Sequence, residues 1–184
     1  LKHTDATTEQ RDEYLRLSSA LKRIEVPENG DFDEEAAFNG LEPQMSFEEF
    51  KAMRENEQFI LTVTSTGYGK RTSAYEYRIT ARGGQGVANM EMSERNKAVV
   101  SSFPIEDDNQ IMMVTDGGKL IRMPVEDIRI AGRKTQGVIL FRTAEDESVV
   151  SVTWLDADDD DEDAELSEEV NEFDGVAAAD ESEE

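Results

Sequence analysis

Apolar and polar positions change period along this chain, and the change divides it. Over residues 4–24, Tyr14, Leu17, Leu21 and Ile24 recur at spacings of three and four, which predicts one face of a helix. Thr7 and Gln10 supply a capping box at its start, and Pro27, Asn29 and Gly30 end it. A second stripe, Phe47, Phe50 and Met53, predicts a helix from Phe47 to about Asn56, with Ser46 and Glu49 as its capping pair. Residues 28–45, acidic and interrupted by Gly40 and Pro43, read as a loop. Both helices read as amphipathic packing elements.

From Phe59 onward the period is two. Phe59–Thr64 is β-branched and bounded by Gly67, and Tyr75, Tyr77 and Ile79 alternate with Glu76, Arg78 and Thr80. Ala98–Phe103, Gln110–Thr115, Lys119–Met123, Val138–Arg142 and Val149–Leu155 are further short strands, and Ile128-Arg129-Ile130 alternates in the same way. Glycines punctuate them at Gly83–Gly86, Gly117–Gly118 and the basic loop Gly132–Gly137. The regular turn signals predict an all-β module.

Internal repetition gives this module its architecture. A shift of 51 residues lays Val63–Val87 on Val114–Val138 without a gap, with ten of 25 positions identical. The matches include Gly67 with Gly118, Arg71 with Arg122, Arg78 with Arg129, Arg82 with Arg133, and Gln85-Gly86-Val87 with Gln136-Gly137-Val138. A repeat of this length holding about four short strands is the signature of a bladed, propeller-like array. Two blades bury a small core, so further blades are expected upstream. The expected division is a helical segment 1–56, a blade 57–106, a last blade 107–155 and a tail 156–184.

Charge follows the same division. The net charge of −24 is not spread evenly: residues 1–53 carry 13 acids and 6 bases, residues 54–155 carry 14 and 13, and residues 156–184 carry 16 acids and no base. The blades are close to neutral. The tail, opening Asp156-Ala157-Asp158-Asp159-Asp160, is predicted to be disordered. It is either solubilising or an intramolecular polyanion competing for a basic rim. The chain has no cysteine, which excludes disulfides and thiolate chemistry, and no run of 18 apolar residues or signal-peptide pattern. A soluble intracellular protein is expected.

Catalytic patterns are missing from the sequence. The one histidine, His3, reads as solvent-exposed, and no nucleophile–base or acid–base set appears. Gly67-Tyr68-Gly69-Lys70-Arg71-Thr72 fails the phosphate-loop spacing, because Thr64 stands where its first glycine belongs. The cations carry more information. Lys70, Arg71, Arg78, Arg82, Arg122, Arg129, Arg133 and Lys134 mostly occupy repeat-equivalent positions near glycine turns. Guanidinium forks and loop amides suit phosphate oxygens, so all eight are candidate ligands for a nucleic-acid backbone. The competing reading of Arg71 and Arg122 is that they pair with blade carboxylates and lock neighbouring strands. Tyr68, Tyr75 and Tyr77 read as packing residues.

The two motifs Thr66–Val87 (TGYGKRTSAYEYRITARGGQGV) and Gly117–Val138 (GGKLIRMPVEDIRIAGRKTQGV), with their flanking strands, resemble the C-terminal domain family of DNA gyrase A. The resemblance covers about residues 57–155, and the acidic tail fits it. It implies an all-β β-pinwheel, usually of six blades, of which this chain holds the last two. It implies that double-stranded DNA wraps the basic rim of the pinwheel within a type IIA topoisomerase that introduces negative supercoils. It also implies gyrase B as partner in an A2B2 assembly, with the gate tyrosine, ATP and Mg sites elsewhere in that assembly and no cofactor in this segment. A cytoplasmic, chromosome-associated protein without membrane contact follows. The family's basic glycine-rich heptapeptide box is absent; Arg82–Gly86 and Arg133–Gly137 look like its degenerate counterparts. That leaves the corresponding domain of the paralogous topoisomerase IV as one alternative, and a protein-binding propeller fragment as another.

Overall fold

The computed structural model describes residues 5–24, 32–80 and 82–156. His3, the Pro27–Gly30 helix stop and the acidic tail beyond Asp156 lie outside the described residues. Helix α1 (Thr8–Leu21) opens on the expected capping box of Thr7 with Gln10, and α3 (Phe47–Glu55) on that of Ser46 with Glu49. Between them a short helix, α2 (Glu34–Asn39), forms where the sequence reads as loop. Asp33 caps it, its side chain accepting from Ala36 N, and Phe38 anchors it in a cluster with Tyr14, Leu17, Leu21, Phe50 and Tyr75. Six residues make a weak helix on propensity alone; the buried aromatic holds it.

Two antiparallel sheets follow. The first, in the order β3-β1-β2-β6, contains β1 (Phe59–Thr64), β2 (Tyr68–Ser73), β3 (Val99–Ile105) and β6 (Val138–Ile139). The second, in the order β5-β4-β7, contains β4 (Gln110–Thr115), β5 (Leu120–Pro124) and β7 (Val149–Leu155). The equivalence of the repeats survives in the hairpin register: Ile60 pairs with Thr72 as Ile111 pairs with Met123. On the other side Leu61 faces Phe103 and Met112 faces Thr153, so β7 sits one residue out of step with β3. Leu61, Val63, Ile105, Ile111, Met113, Val125, Ile128, Val149 and Val152 form one apolar core shared by both sheets, each side chain worth about 1.5–3 kcal/mol when fully buried.

The fourth strand of the first sheet comes from the second repeat, since β6 pairs with β2 through Gly69↔Val138 and Tyr68↔Ile139. Gly137, just ahead of β6, has φ +79, and a Cβ there would lie 2.7 Å from the carbonyl oxygen of Gly69. Glycine is required on both counts.

Further expectations change, and β6 ends at Ile139 where the sequence predicts a strand to Arg142. Tyr75–Ile79 is not a strand: Ala74–Glu76 is a 3-10 helix, matched by a second at Val125–Asp127. The strand lies earlier, at Tyr68–Ser73, and its last five residues are buried although they read Gly-Lys-Arg-Thr-Ser. Buried polar groups need partners, and here backbone oxygens of the second repeat provide them. Arg71 Nε donates to Ile128 O at 2.7 Å and Nη2 to Glu126 O at 3.1 Å, while Nη1 pairs with Asp107. Thr72 Oγ1 donates to Ala131 O at 2.9 Å. Lys70 Nζ donates to Gly132 O and Arg133 O, both at 2.8 Å, and to Thr135 O at 3.2 Å.

Lys70 and Arg71 are therefore withdrawn from the set of cations open to a surface ligand, being 0% and 5% exposed. The strand-locking reading holds for Arg71. Burial pulls the Lys70 ammonium down to about 8, with Glu76 opposing and Arg133 adding to the shift.

The repeat-equivalent glycines Gly67 and Gly118 have φ +73 and +79, but a Cβ at Gly67 would lie 2.2 Å from Phe141 O while one at Gly118 meets nothing within 4 Å. Gly118→Ala should therefore cost about 1–2 kcal/mol of left-handed strain, and Gly67→Ala distinctly more, as read from urea midpoints. Lys70→Met strands buried carbonyls and should cost about 1–3 kcal/mol per unsatisfied group. Because the folded-state pKa of Lys70, about 8, lies below the ordinary 10.5, the folded protein holds fewer protons in that window. The lysine's contribution to stability should rise between pH 8 and 10.5, a trend that Lys70→Met loses in urea titrations across that range.

Candidate nucleic-acid interface

The loop Gly132–Gly137 is shaped from inside by Lys70 and from the side by the first repeat. Its own closure is a turn, Thr135 N donating to Gly132 O at 3.1 Å and Thr135 Oγ1 to the same oxygen at 2.7 Å. Arg133 N donates to Glu76 Oε2 at 2.7 Å. The Arg133 guanidinium lies over the Tyr77 ring at 5.9 Å and gives Nη1 to Ala88 O at 2.6 Å. Its Nε is buried without a partner, so Arg133 is tethered at one end with hydrogen-bonding capacity left over. Lys134, next in the loop, is exposed.

Arg78, Arg82 and Arg129 are exposed on the segments that follow the two 3-10 helices. Among the described residues, their side chains and that of Lys134 make no hydrogen bond or ion pair. A cavity of about 310 Å3 lined by Glu76, Arg78, Gly86, Val87, Ala88 and Arg133 joins the two repeats' loops. Arg78 and Arg133 thus share one depression, with Glu76 tempering its charge. Arg122 stands apart on β5 of the second sheet, its Nε donating to Gln110 Oε1 at 2.6 Å.

Two cations that repeat matching does not select lie beside the loop. The turn Ser93–Lys97 is tied to Gln136: Asn96 Nδ2 donates to Gln136 O at 3.3 Å and Ser93 Oγ to Gln136 Oε1 at 3.2 Å. Arg95 and Lys97 are exposed on this turn, Lys97 at φ +45. Their counterparts 51 residues on are Asp146 and Ser148, so charge is not repeated there and equivalence gives no signal. In the second repeat the corresponding turn is closed by an ion pair instead. Glu147 accepts from Lys119 Nζ at 2.6 Å, Thr115 Oγ1 at 2.6 Å and Ala144 N at 3.1 Å. These bonds, Lys119's first, hold its carboxyl at about 2.

The resulting surface has cations on loops outside the sheets: Arg78, Arg82, Arg129, Lys134 and the partly tethered Arg133, with Arg95 and Lys97 added. Flexible ammonium and guanidinium groups on fixed turns suit polyanion oxygens. Among the described residues, no three His, Asp or Glu side chains gather as a metal site, and no helix is long and apolar enough to cross a membrane.

The profile of the family described as DNA gyrase C-terminal domain, beta-propeller matches residues 58–105 and 109–153, just over half of the chain. The A subunit of DNA gyrase from Rickettsia bellii is 44% identical over 174 residues, covering 94% of this chain and 19% of that protein. That span takes in the helices as well as the sheets. The A subunit of DNA gyrase from Salmonella typhimurium is 52% identical over 106 residues, 58% of this chain and 12% of its own length. Among solved structures, the C-terminal domain of DNA topoisomerase IV superposes with a TM-score of 0.52 at 23% identity, over 62% of this chain and 36% of that one, a likeness of fold. The chain spans about a fifth of the length of the Rickettsia relative. Its duplicated sheets, strand exchange between repeats and matched profile agree: the chain belongs to the DNA gyrase C-terminal domain, beta-propeller family.

Proposed function

We propose that this chain is the DNA-binding, DNA-wrapping C-terminal part of DNA gyrase A, within a type IIA topoisomerase. The observation that carries the reading is the pair of repeat-equivalent cation sets, Arg78/Arg82 and Arg129/Arg133 with Lys134, all exposed except the half-buried Arg133 and standing on loops beside the sheets. Their spacing by one structural repeat suits a ligand that is itself a regular array of charge, such as the phosphates of double-stranded DNA. The contacts offered are to backbone oxygens, so recognition is by charge and shape rather than by base edges.

Binding across successive blades bends the duplex, at a cost of roughly 1–10 kcal/mol depending on length and stiffness; phosphate contacts from several blades offset it. In the whole protein this wrap would feed ATP-dependent negative supercoiling, with strand cleavage, ATP and Mg handled outside this chain. The partner there would be gyrase B in an A2B2 assembly, in the cytoplasm and on the chromosome.

Binding of the 184-residue chain to a fluorescent duplex should weaken steeply with salt. Reversing Arg82, Arg129 and Lys134 to glutamate should lower the slope of log affinity against log salt by about 0.9 for each phosphate that is no longer neutralised, with far-UV circular dichroism unchanged. An unaltered slope and affinity in the folded triple variant would rule out this surface as a DNA site.

A further inference from the structure

Each blade's 3-10 helix is held by a buried arginine, and the two arginines come from unrelated elements. In the second repeat Arg71, on β2, donates Nε to Ile128 O at 2.7 Å, the carbonyl of the residue that caps Val125–Asp127. Fifty-one residues earlier the same place is held by Tyr77, which caps Ala74–Glu76. Tyr77 O accepts from Arg11 Nη1 at 3.2 Å. Arg11 lies on α1, is 7% exposed, and is braced by Nε to Thr7 O at 3.3 Å and Nη2 to Thr8 Oγ1 at 3.5 Å.

The surroundings follow the same substitution of helix for blade. Tyr75, the counterpart of Glu126, turns into the helical cluster, its ring edge-on to Tyr14 at 5.2 Å and 76°. Its hydroxyl donates to Met53 O at 2.9 Å. Helix α1 packs on the first 3-10 helix, where Arg71 and its strand meet the second. The cover ends beyond Tyr77. Ile79 is 71% exposed against 37% for its counterpart Ile130. A Cβ at Gly86 would meet nothing within 4 Å, whereas one at its counterpart Gly137 would strike Gly69.

We infer that the helical unit is a surrogate neighbour for the first blade, and that Arg11 is the positioning residue that sets the Tyr77–Thr80 segment leading to Arg82. It does for Arg78 and Arg82 what β2 does for Arg129 and the loop beyond it. The half of the seat nearest the 3-10 helix is filled by helix, and the half carrying the cations is left open to a ligand. The link to DNA rests on the function proposed above; the surrogate contact itself does not.

Amide hydrogen exchange on the 184-residue chain separates the two. Arg11→Met keeps the apolar stem and removes the donors. It should speed exchange at the Tyr77 amide, which donates to Ala74 O, about tenfold or more, leaving its counterpart at Ile128, which donates to Val125 O, and the helical circular dichroism unchanged. Arg71→Met should show the reverse pattern, and Arg11→Lys, with one donor kept, should recover part of the protection. Unchanged exchange at Tyr77 in Arg11→Met, or equal loosening at Tyr77 and Ile128, would overturn the surrogate role. On a duplex, Arg11→Met should lose several-fold in affinity at low salt. If Arg78→Glu weakens binding and Arg11→Met does not, the positioning role fails. If Arg78→Glu and the triple reversal both leave binding unaltered, the DNA reading fails while the exchange result still decides the surrogate contact.

Discussion

The structure depends on one kind of bond: a buried cation or hydroxyl of one repeat donating to backbone oxygens of the next. Lys70, Arg71 and Thr72 are consecutive on β2, and all three side chains end on carbonyls between Glu126 and Thr135. A carbonyl acceptor carries no formal charge and leaves the cation's own charge uncompensated. Asp107 answers Arg71 and Glu76 lies near Lys70, so the desolvation of two cations is met partly by carboxylates and partly by a ring of dipoles. Breaking such a set by removing one partner costs more than its net worth. The junction between blades therefore has a rigid polar seam beside its apolar core.

That seam orders the surface opposite. With carbonyls of Gly132, Arg133 and Thr135 turned inward to Lys70, the side chain of Lys134 is left exposed at the loop's outer face. Buried and exposed cations thus divide: the buried ones fix backbone, and the exposed ones are those assigned to the ligand in the function we propose. Arg133 does some of each, half-buried against Tyr77 and Ala88.

Much of this was legible in the sequence. Most strands of both repeats, though not β2, together with the two capping boxes and the all-β repeat architecture, followed from period, turn residues and the 51-residue shift. What misled was reading polarity as exposure. Gly-Lys-Arg-Thr-Ser looks like a loop because its burial depends on acceptors about 60 residues away in sequence. One comparison pointed to burial: Lys70 and Thr72 align with Ile121 and Met123 of β5, and a position that is apolar in one copy is commonly interior in the other. The six residues of α2 hold too little periodicity to mark a helix, and Arg95 and Lys97 carry no signal of repetition because their counterparts are acidic or uncharged.

Because β6 leaves its own repeat to complete the sheet before it, the inherited unit and the folded sheet are out of phase. Each added unit would bring one strand to give away and one edge to be filled. A sheet without its fourth strand then occurs only at the end of the array, as in β5-β4-β7 here, and an array could grow or shrink by whole duplications without accumulating open borders. Partial duplications would break that balance. Whole-unit changes in length, rather than gradual ones, are the route of variation that this architecture tolerates.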